Sequence, residues 1–460
     1  MSALIFAIAA GLLVYSQTDA FAWDEGFHLL AAQLIFRGKR PYLDFFFPQA
    51  ALNAYWNAFW MRIFGDTWRV AHAVAALSTA AAIGLAADYV RRRFPDRRSS
   101  VAAASATALG IALNIQVVEF GAIGQAYGLA LLLTVAAFRA SVASVARRGP
   151  WMSAAAGFLA AAAAGSTLLT APVAPVLWLW TLVRNREGNR WTKAAAMVAG
   201  GAAAAAPLAV LLAKSPQKVL FDMVKFHLLY RQVAWPDALP HDAGVLFAWL
   251  DSSQALILGG LALLGLLVAR RQEHRSELYL CGWLSLAISV HLATAHPTFE
   301  RYFVFIVPFL CILATFGACF WPQKGAVLLI FVLLTGGNLA KRLIEDHDGW
   351  RWSTMERMAA EVDRVTPKGA PLYAEEHVYF ITRRPPPAGM ESGDSHKLEF
   401  PAPEAAALGI LPKQVIEARI KAREFTTVQM CSDKQIERLG LATLYKDSVE
   451  VEDCRIFFGR

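Results

Sequence analysis

Long apolar runs recur along the first three quarters of the chain and stop near residue 340. A helix needs roughly 20 apolar residues to cross a bilayer, and eleven runs approach that length. They lie near 2–18, 70–90, 99–116, 122–141, 151–167, 168–183, 193–213, 254–269, 277–295, 302–320 and 324–340. The pattern predicts a polytopic all-α membrane domain over residues 1–340, with about eleven transmembrane helices, and a soluble domain over 341–460.

The C-terminal 120 residues show a different pattern of apolar and polar positions, with shorter apolar stretches. Met355, Met358, Val362 and Val365 recur at helical spacing, which predicts an amphipathic helix. The stretch "LYAEEHVYFIT" favours one or two strands, and three consecutive prolines in "RRPPPAG" require an extended loop. Further elements are predicted as a helix near 412–424, a strand near 426–431, a short helix near 433–439 and a hairpin over 442–458. We therefore expect a small C-terminal α/β domain.

The composition agrees with a membrane protein. The chain is 56% hydrophobic and 17% charged, against about 25% charged residues in a soluble domain. Short basic connectors occupy every second position between the apolar runs, and such connectors face the cytoplasm. They are "RRRFPDRR", "ARRGP", "RNREGNRWTK", "ARRQEHR" and "WPQK". This predicts a cytoplasmic N-terminus with the first loop and C-terminal domain outside. Membrane topology thus explains the net charge of +8, and we expect no nucleic-acid partner.

The first apolar run has a second interpretation. Residues 1–22 have an apolar centre and end in an Ala-x-Ala-like sequence, as a cleaved signal peptide does. They lack the basic residues that open such a peptide, since no Lys or Arg precedes Arg37. A retained helix is favoured, and cleavage stays open.

The five cysteines fall into two groups. Cys281, Cys311 and Cys319 lie in apolar runs, where a free cysteine behaves as a small buried residue. Cys431 and Cys454 lie in the C-terminal domain and are expected to pair if that domain faces an oxidising compartment.

The first external loop, predicted over residues 19–69, concentrates acidic and aromatic residues. In "DEGFHLLAAQLIFR" the apolar positions predict a short helix over 24–37, lying on the membrane surface through Phe27, Leu30, Leu34 and Ile35. A second helix, "QAALNAYWNAFWMRIFG", is aromatic on much of its surface, as interfacial segments are. Asp24 and Glu25 open the first helix, where carboxylates favour its dipole. One interpretation is therefore that they only cap it.

Capping does not account for Asp44. It lies among Phe45, Phe46 and Phe47, where an ionised carboxylate needs a partner to offset its desolvation. The neighbouring cations are Arg37, Lys39 and Arg40. Separated acids and basic residues at one membrane face are typical of a site.

The residues 24–52 carry a family resemblance. The pattern "DEG…G-K-R-P-Y-x-D-F-x-x-P" resembles the first external loop of the GT-C integral membrane glycosyltransferases, in the bacterial branch of lipopolysaccharide glycosyltransferases, protein O-mannosyltransferases and aminoarabinose transferases. That branch often carries Pro-Pro-Leu or Gly-Pro-Leu at the start of the second helix. This chain instead has Gln49-Ala50-Ala51-Leu52, which puts the subfamily in doubt more than the class.

The resemblance implies a hexosyl or pentosyl transferase of the bacterial inner membrane, with its site and C-terminal domain on the periplasmic side. Its donor would be a sugar on a polyprenyl phosphate, reached through membrane lipids, and its acceptor a glycolipid, polysaccharide or protein. An acceptor hydroxyl would displace the lipid phosphate with inversion, with Asp24 as general base, Glu25 assisting, and Asp44 steering the acceptor or holding a metal. Some relatives need a divalent cation and others do not, and no ligand cluster is evident.

The leaving phosphate needs cationic stabilisation. The stretches "KFHLLYR" and "HPTFERYF" are external by the charge pattern and supply basic residues. The candidate substrate contacts are Arg37, Lys39, Arg40, Tyr42, Lys225, His227, Arg231, His296, Arg301 and Tyr302.

Three other function classes stay open. A transporter or flippase would need ionisable residues within the membrane, and the candidates are few: Asp88 and Glu119 near helix ends, and the isolated His72 and His291. No inverted repeat is evident. A polysaccharide polymerase would carry its large external loop late in the chain, whereas here it is early. A non-catalytic assembly partner would be excluded only by activity.

Overall fold

The computed structural model describes residues 1–147, 149–185, 189–295, 297–345 and 349–459. His296, one of the predicted site residues, lies outside them. The first helices are α1 (Ser2–Thr18), α2 (Glu25–Phe36), α3 (Leu52–Phe64), α4 (Trp68–Arg91), α5 (Arg97–Ala112), α6 (Ile115–Gly121), α7 (Tyr127–Ala146), α8 (Trp151–Ser166), α9 (Val173–Arg184), α10 (Arg190–Lys214), α11 (Pro216–Leu220) and α12 (Phe226–Ala234). The later ones are α13 (Ala238–Asp251), α14 (Ser253–Ala269), α15 (Arg275–Ala293), α16 (Val307–Ala318), α17 (Lys324–Glu345), α18 (Trp352–Val365), α19 (Glu376–Thr382), α20 (Ala402–Leu408), α21 (Lys413–Lys421), α22 (Asp433–Leu439) and α23 (Leu441–Leu444).

The apolar helices confirm a multi-pass membrane protein. Among the described residues, five helices are long and apolar enough to cross a membrane, namely α4, α7, α10, α15 and α17. Two bent pairs raise that number to seven if each is one span: α5 with α6, bent by 61°, and α13 with α14, bent by 78°. Several other predicted spans are shorter apolar helices, so the number eleven stays a prediction.

The chain divides into two compact units. The first contains Met1–Gln17, His72–Pro207 and Trp235–Asp348. Its helices pack closely at small residues, as membrane helices do. A Cβ added at Gly265 would lie 2.0 Å from the Leu313 carbonyl oxygen, and one at Gly317 would lie 2.1 Å from that of Leu261. These glycines therefore allow α14 and α16 to touch along their backbones.

The second unit contains Thr18–Ala71, Leu208–Ala234 and Gly349–Arg460. The first external loop and the segment 208–234 thus group with the C-terminal residues, which the sequence analysis did not predict. Four strands, β1 (Leu372–Tyr373), β2 (Thr427–Met430), β3 (Asp447–Val451) and β4 (Cys454–Phe458), form a sheet in the order β1-β2-β4-β3. β1 pairs with β2 in parallel and the other pairs are antiparallel. The expected Cys431–Cys454 disulfide joins the end of β2 to the start of β4.

The prediction of strands across "LYAEEHVYFIT" is mostly wrong. Only β1 is a strand, and α19 follows directly. Val378, Tyr379 and Phe380 are buried on that helix, and the Tyr379 hydroxyl donates to the Leu372 carbonyl oxygen at 2.7 Å. Packing against neighbouring elements therefore overrides the β-propensity of this aromatic stretch. The helices predicted near 355–365, 412–424 and 433–439, the strand near 426–431 and the hairpin are confirmed.

The two loop helices differ in what covers them. The prediction that Leu30 and Leu34 of α2 lie on the membrane surface is wrong, since both are buried in the second unit. The Gln33 Nε2 on this helix donates to the Phe380 carbonyl oxygen at 3.0 Å, so α2 is packed against the C-terminal residues. By contrast, α3 exposes Phe59 and Phe64 by more than half, as expected of an interfacial helix.

Candidate active site

The acidic pair at the start of α2 divides into an exposed and a buried carboxylate. Asp24 is exposed at the N-cap, and its side chain makes no capping hydrogen bond to the described first turn. Glu25 is fully buried and accepts a hydrogen bond from the Trp352 indole Nε1 at 3.2 Å. Capping therefore does not explain the Asp24 side chain, whereas Glu25 ties α2 to α18.

An aromatic cluster holds the start of α2 in place. The His377 ring lies 5.4 Å from each of the Phe21 and Trp352 rings and 5.7 Å from Trp23. Burial lowers the His377 pKa to about 4, although nearby Glu25 and Asp24 oppose the shift. The ring is therefore neutral near pH 7. A Cβ at Gly26 would lie 2.6 Å from the His377 Nδ1, so the glycine of "DEG" is required for this contact.

Asp44 finds the partner that the sequence analysis required. Its two carboxylate oxygens accept hydrogen bonds at 2.8 Å from the Arg40 Nε and Nη2, and the Arg40 backbone N–H donates to it as well. This bidentate pair holds the pKa of Asp44 at about 2. A carboxylate that binds protons so weakly is a poor general base near neutral pH.

The remaining loop residues surround this ion pair. Tyr42 is buried with φ +66°, and its hydroxyl donates to the Gln49 carbonyl oxygen at 2.7 Å. Arg37 ends α2 and donates through Nη2 to the Arg383 carbonyl oxygen at 3.2 Å. Lys39 is exposed and lowers the pKa of Asp44 by its charge. Tyr42 and Arg37 thus have structural contacts, while Lys39 stays accessible.

The sequence analysis missed a buried carboxyl group at Asp222. It lies in a π-helical turn, Phe221–Lys225, a feature common at functional sites. Its Oδ2 accepts the Phe47 backbone N–H at 3.0 Å, and the His227 Nε2 lies 2.7 Å from the Pro48 carbonyl oxygen. The segment from Asp222 to His227 is therefore hydrogen-bonded to the backbone of "FFFP". The only signal in the sequence was one acid in an apolar stretch.

Burial raises the pKa of Asp222 to about 8, which predicts a pH-dependent stability. The raised pKa means that the folded protein favours the neutral acid. The contribution of Asp222 to the free energy of unfolding is therefore complete below about pH 4 and is lost as the pH rises through about 8. We expect the melting temperature of Asp222→Asn, relative to wild type, to be higher at pH 8.5 than at pH 5. Asp237→Asn, at an exposed position, is the control. Parallel pH profiles for Asp222→Asn and wild type would contradict the prediction.

A second missed residue comes from the C-terminal domain. The Asp24 carboxylate is among the groups whose charge raises the pKa of Lys397. The Lys397 ammonium also pairs with Asp394 and lies 5.1 Å from the centroid of the Tyr230 ring. Because Asp24 and Lys397 are far apart in the sequence, no local pattern indicated their proximity.

The other predicted contacts lie in both units. In the second unit, Lys225 ends the π-helical turn and is exposed, and Arg231 lies on α12. In the first unit, the Arg301 guanidinium lies 4.6 Å from the centroid of the Phe299 ring and 5.8 Å from that of Tyr302.

The described side chains do not fit a metal centre. Among them, no group of three or more His, Cys, Asp or Glu residues is arranged to hold a metal ion. Asp44, the predicted ligand, is engaged by Arg40. We therefore derive no step that passes through a metal.

The helical membrane unit, the packed loop helices and the small mixed sheet form a known fold. Comparison with solved structures confirms the predicted resemblance to the GT-C glycosyltransferases at the level of fold. No family model matches the chain, and no curated protein matches it.

Two solved structures illustrate the likeness. The crystal structure of ArnT from Cupriavidus metallidurans bound to undecaprenyl phosphate is similar with a TM-score of 0.72 and 15% identity, over 99% of this chain and 97% of that one. The archaeal oligosaccharyltransferase AglB from Archaeoglobus fulgidus, in complex with an inhibitory peptide and a dolichol-phosphate, is similar with a TM-score of 0.52 and 13% identity, over 94% of this chain and 69% of that one.

Proposed function

We propose that the protein is a membrane glycosyltransferase that moves a sugar from a polyprenyl-phosphate donor to an extracytoplasmic acceptor. The observation that carries this proposal is the end-to-end fold likeness to ArnT, whose structure holds undecaprenyl phosphate. The structure of AglB holds a dolichol-phosphate, which belongs to the same class of lipid phosphates. The bacterial inner membrane, with the site on the periplasmic side, is part of the proposal and rests on the distribution of basic connectors.

Asp24 is the proposed general base. It is the exposed member of the acidic pair and lies at the N-cap of α2. The acceptor oxygen bonds to the anomeric carbon as the bond from that carbon to the phosphate oxygen breaks, with inversion. Asp24 accepts the hydroxyl proton, and the polyprenyl phosphate leaves with the bonding electrons. Glu25 positions Asp24 through its bond to Trp352.

The developing phosphate charge requires cations. We assign this role to Lys39, Lys225 and Arg231, which all lie in the second unit. Asp222 and His227 hold the backbone of the first loop at Phe47 and Pro48. Arg40 is assigned to Asp44 instead, because both carboxylate oxygens already occupy its guanidinium. A lipid phosphate in a water-poor site gains most from such fixed charges.

The test is a transfer assay with the full chain in liposomes. Radiolabelled lipid-linked sugars from total bacterial membranes serve as donors, and envelope glycolipid, polysaccharide and protein serve as acceptors. We expect label to move to one acceptor class with release of polyprenyl phosphate. Passage of intact labelled lipid across the bilayer without transfer would indicate a flippase. A folded protein that does neither would indicate a non-catalytic partner.

A further inference from the structure

Two adjacent cavities lie within the second unit, and the candidate site described so far shares only Lys397 and Tyr230 with their lining. The outer one has a volume of about 480 Å³ and the inner one of about 120 Å³. Both are lined by Tyr373, His396, Ile416 and Gln435, so they adjoin as one cleft. The outer volume alone is within the range of about 300–1,000 Å³ that is typical of ligand sites.

The inner end of the cleft is acidic. Glu375 and Glu376 line it together with His396. Glu376 accepts a hydrogen bond from the Gly393 backbone N–H, whereas no hydrogen bond to the Glu375 carboxyl group is found among the described residues. Burial, with the charge of Glu376, raises the Glu375 pKa to about 7. In the same lining the His396 Nδ1 is buried and has no hydrogen-bond partner among the described residues. Such an atom costs free energy, and a ligand with hydroxyl groups would satisfy it.

The outer end carries mixed charges and aromatic rings. Tyr230 and Lys397 line it, and the Arg438 Nη2 lies 2.8 Å from the Glu417 Oε1. Asp24 is among the charges that raise the pKa of Lys397. The outer end of the cleft therefore lies within the electrostatic range of the proposed base.

The residues that line the cleft favour some parts of the donor and acceptor over others as its ligand. A polyprenyl chain would leave the charged groups without water, which is unfavourable, and the acidic end repels a phosphate. A carbohydrate fits better, since its hydroxyls can donate to and accept from Glu375, Glu376 and His396. Its apolar C–H faces can pack on the tyrosine rings. A peptide acceptor would offer as many backbone carbonyl acceptors as N–H donors, and the carbonyl oxygens cannot donate to the glutamate carboxylates.

We propose that this cleft binds the carbohydrate part of the acceptor and directs its hydroxyl toward Asp24. This inference rests on the proposed function and narrows the acceptor to a glycan or glycolipid. It also gives the C-terminal domain a role in choosing the acceptor.

Two variants and a control test the proposal. Glu375→Leu removes the half-buried carboxyl group at similar volume, and Gln435→Trp places a large ring at an exposed position of the lining. Glu437→Leu, on the same helix as Gln435 and outside both linings, is the control. The probe is the pool of glycans released by mild acid from the envelope of a strain that lacks the protein. Its binding to the full chain is measured by equilibrium dialysis, and the donor and acceptor dependence of transfer is measured in liposomes.

We expect both variants to weaken glycan binding and to raise the half-saturating acceptor concentration at least ~10-fold, a loss typical of buried polar contacts. The half-saturating donor concentration should stay within about twofold of wild type. Unchanged acceptor dependence, no glycan binding by wild type, or a rise in the donor concentration instead would each overturn the proposal. A third result is that wild type binds glycan, both variants lose this binding, and wild type transfers no sugar. This result would support the cleft as a glycan site and would contradict the proposed glycosyltransferase activity.

Discussion

Asp24→Asn is expected to lower sugar transfer by a factor of ~10² or more at matched expression, with little change in donor binding. The physical reason is that the acceptor hydroxyl must lose its proton as the new bond forms, and general-base catalysis is commonly worth 10²–10⁴-fold. The amide has nearly the shape of the carboxylate and accepts no proton. The measurement is the initial rate of transfer from radiolabelled lipid-linked donors, with donor retention on the protein measured in parallel.

The matched control is Asp19→Asn. Asp19 lies in the same loop but pairs with Arg351 at 2.8 Å, so its replacement should leave transfer within about twofold of wild type. Asp44→Asn should have a smaller effect than Asp24→Asn, because Arg40 keeps the pKa of Asp44 near 2. Equal rates for Asp24→Asn and wild type would rule out Asp24 as the base.

Gly26→Ala is expected to have the largest effect on stability, with a loss of ~1–3 kcal/mol as for overpacked cores. The new methyl group would lie within 3 Å of three atoms of the His377 ring. That ring is fixed by Phe21, Trp23 and Trp352 and cannot move away cheaply. Alanine gains at most ~1 kcal/mol over glycine in a helix, so the clash should prevail. Thermal unfolding in detergent measures the difference.

A double-mutant cycle separates this clash from other causes. His377→Ala removes the ring that the methyl group meets, so Gly26→Ala should cost much less in that background, with a coupling energy of ~1 kcal/mol or more. Gly11→Ala is the control, because nothing lies within 4 Å of the position of its added Cβ. Additive effects of Gly26→Ala and His377→Ala would show that the contact is not the reason for the glycine.

Much of the fold follows from local patterns. Apolar length and basic connectors predicted a multi-pass protein, because the bilayer imposes both on any chain that crosses it. Helical spacing at Met355, Met358 and Val362 predicted α18, whose three side chains are buried as expected. The number of spans could not be predicted as well. Composition alone does not show where one span ends and the next begins when helices are short or bent.

Local sequence patterns predicted only part of the candidate site. The pattern at residues 24–52 indicated the loop and its acids, and a nearby cation was expected for Asp44, as Arg40 shows. Asp222 and Lys397 were missed because their importance comes from burial and proximity. Neither property follows from the identity of a single charged residue.

The sequence by itself determined that this is a membrane protein with an acidic, aromatic first loop, because hydrophobic length and charge distribution are properties of neighbouring residues. Only the tertiary structure decided that Glu25 is buried against Trp352 and that α2 packs on C-terminal residues instead of lipid. These contacts join residues more than 300 positions apart. Such pairings arise from the packing of the whole chain, which local periodicity does not encode.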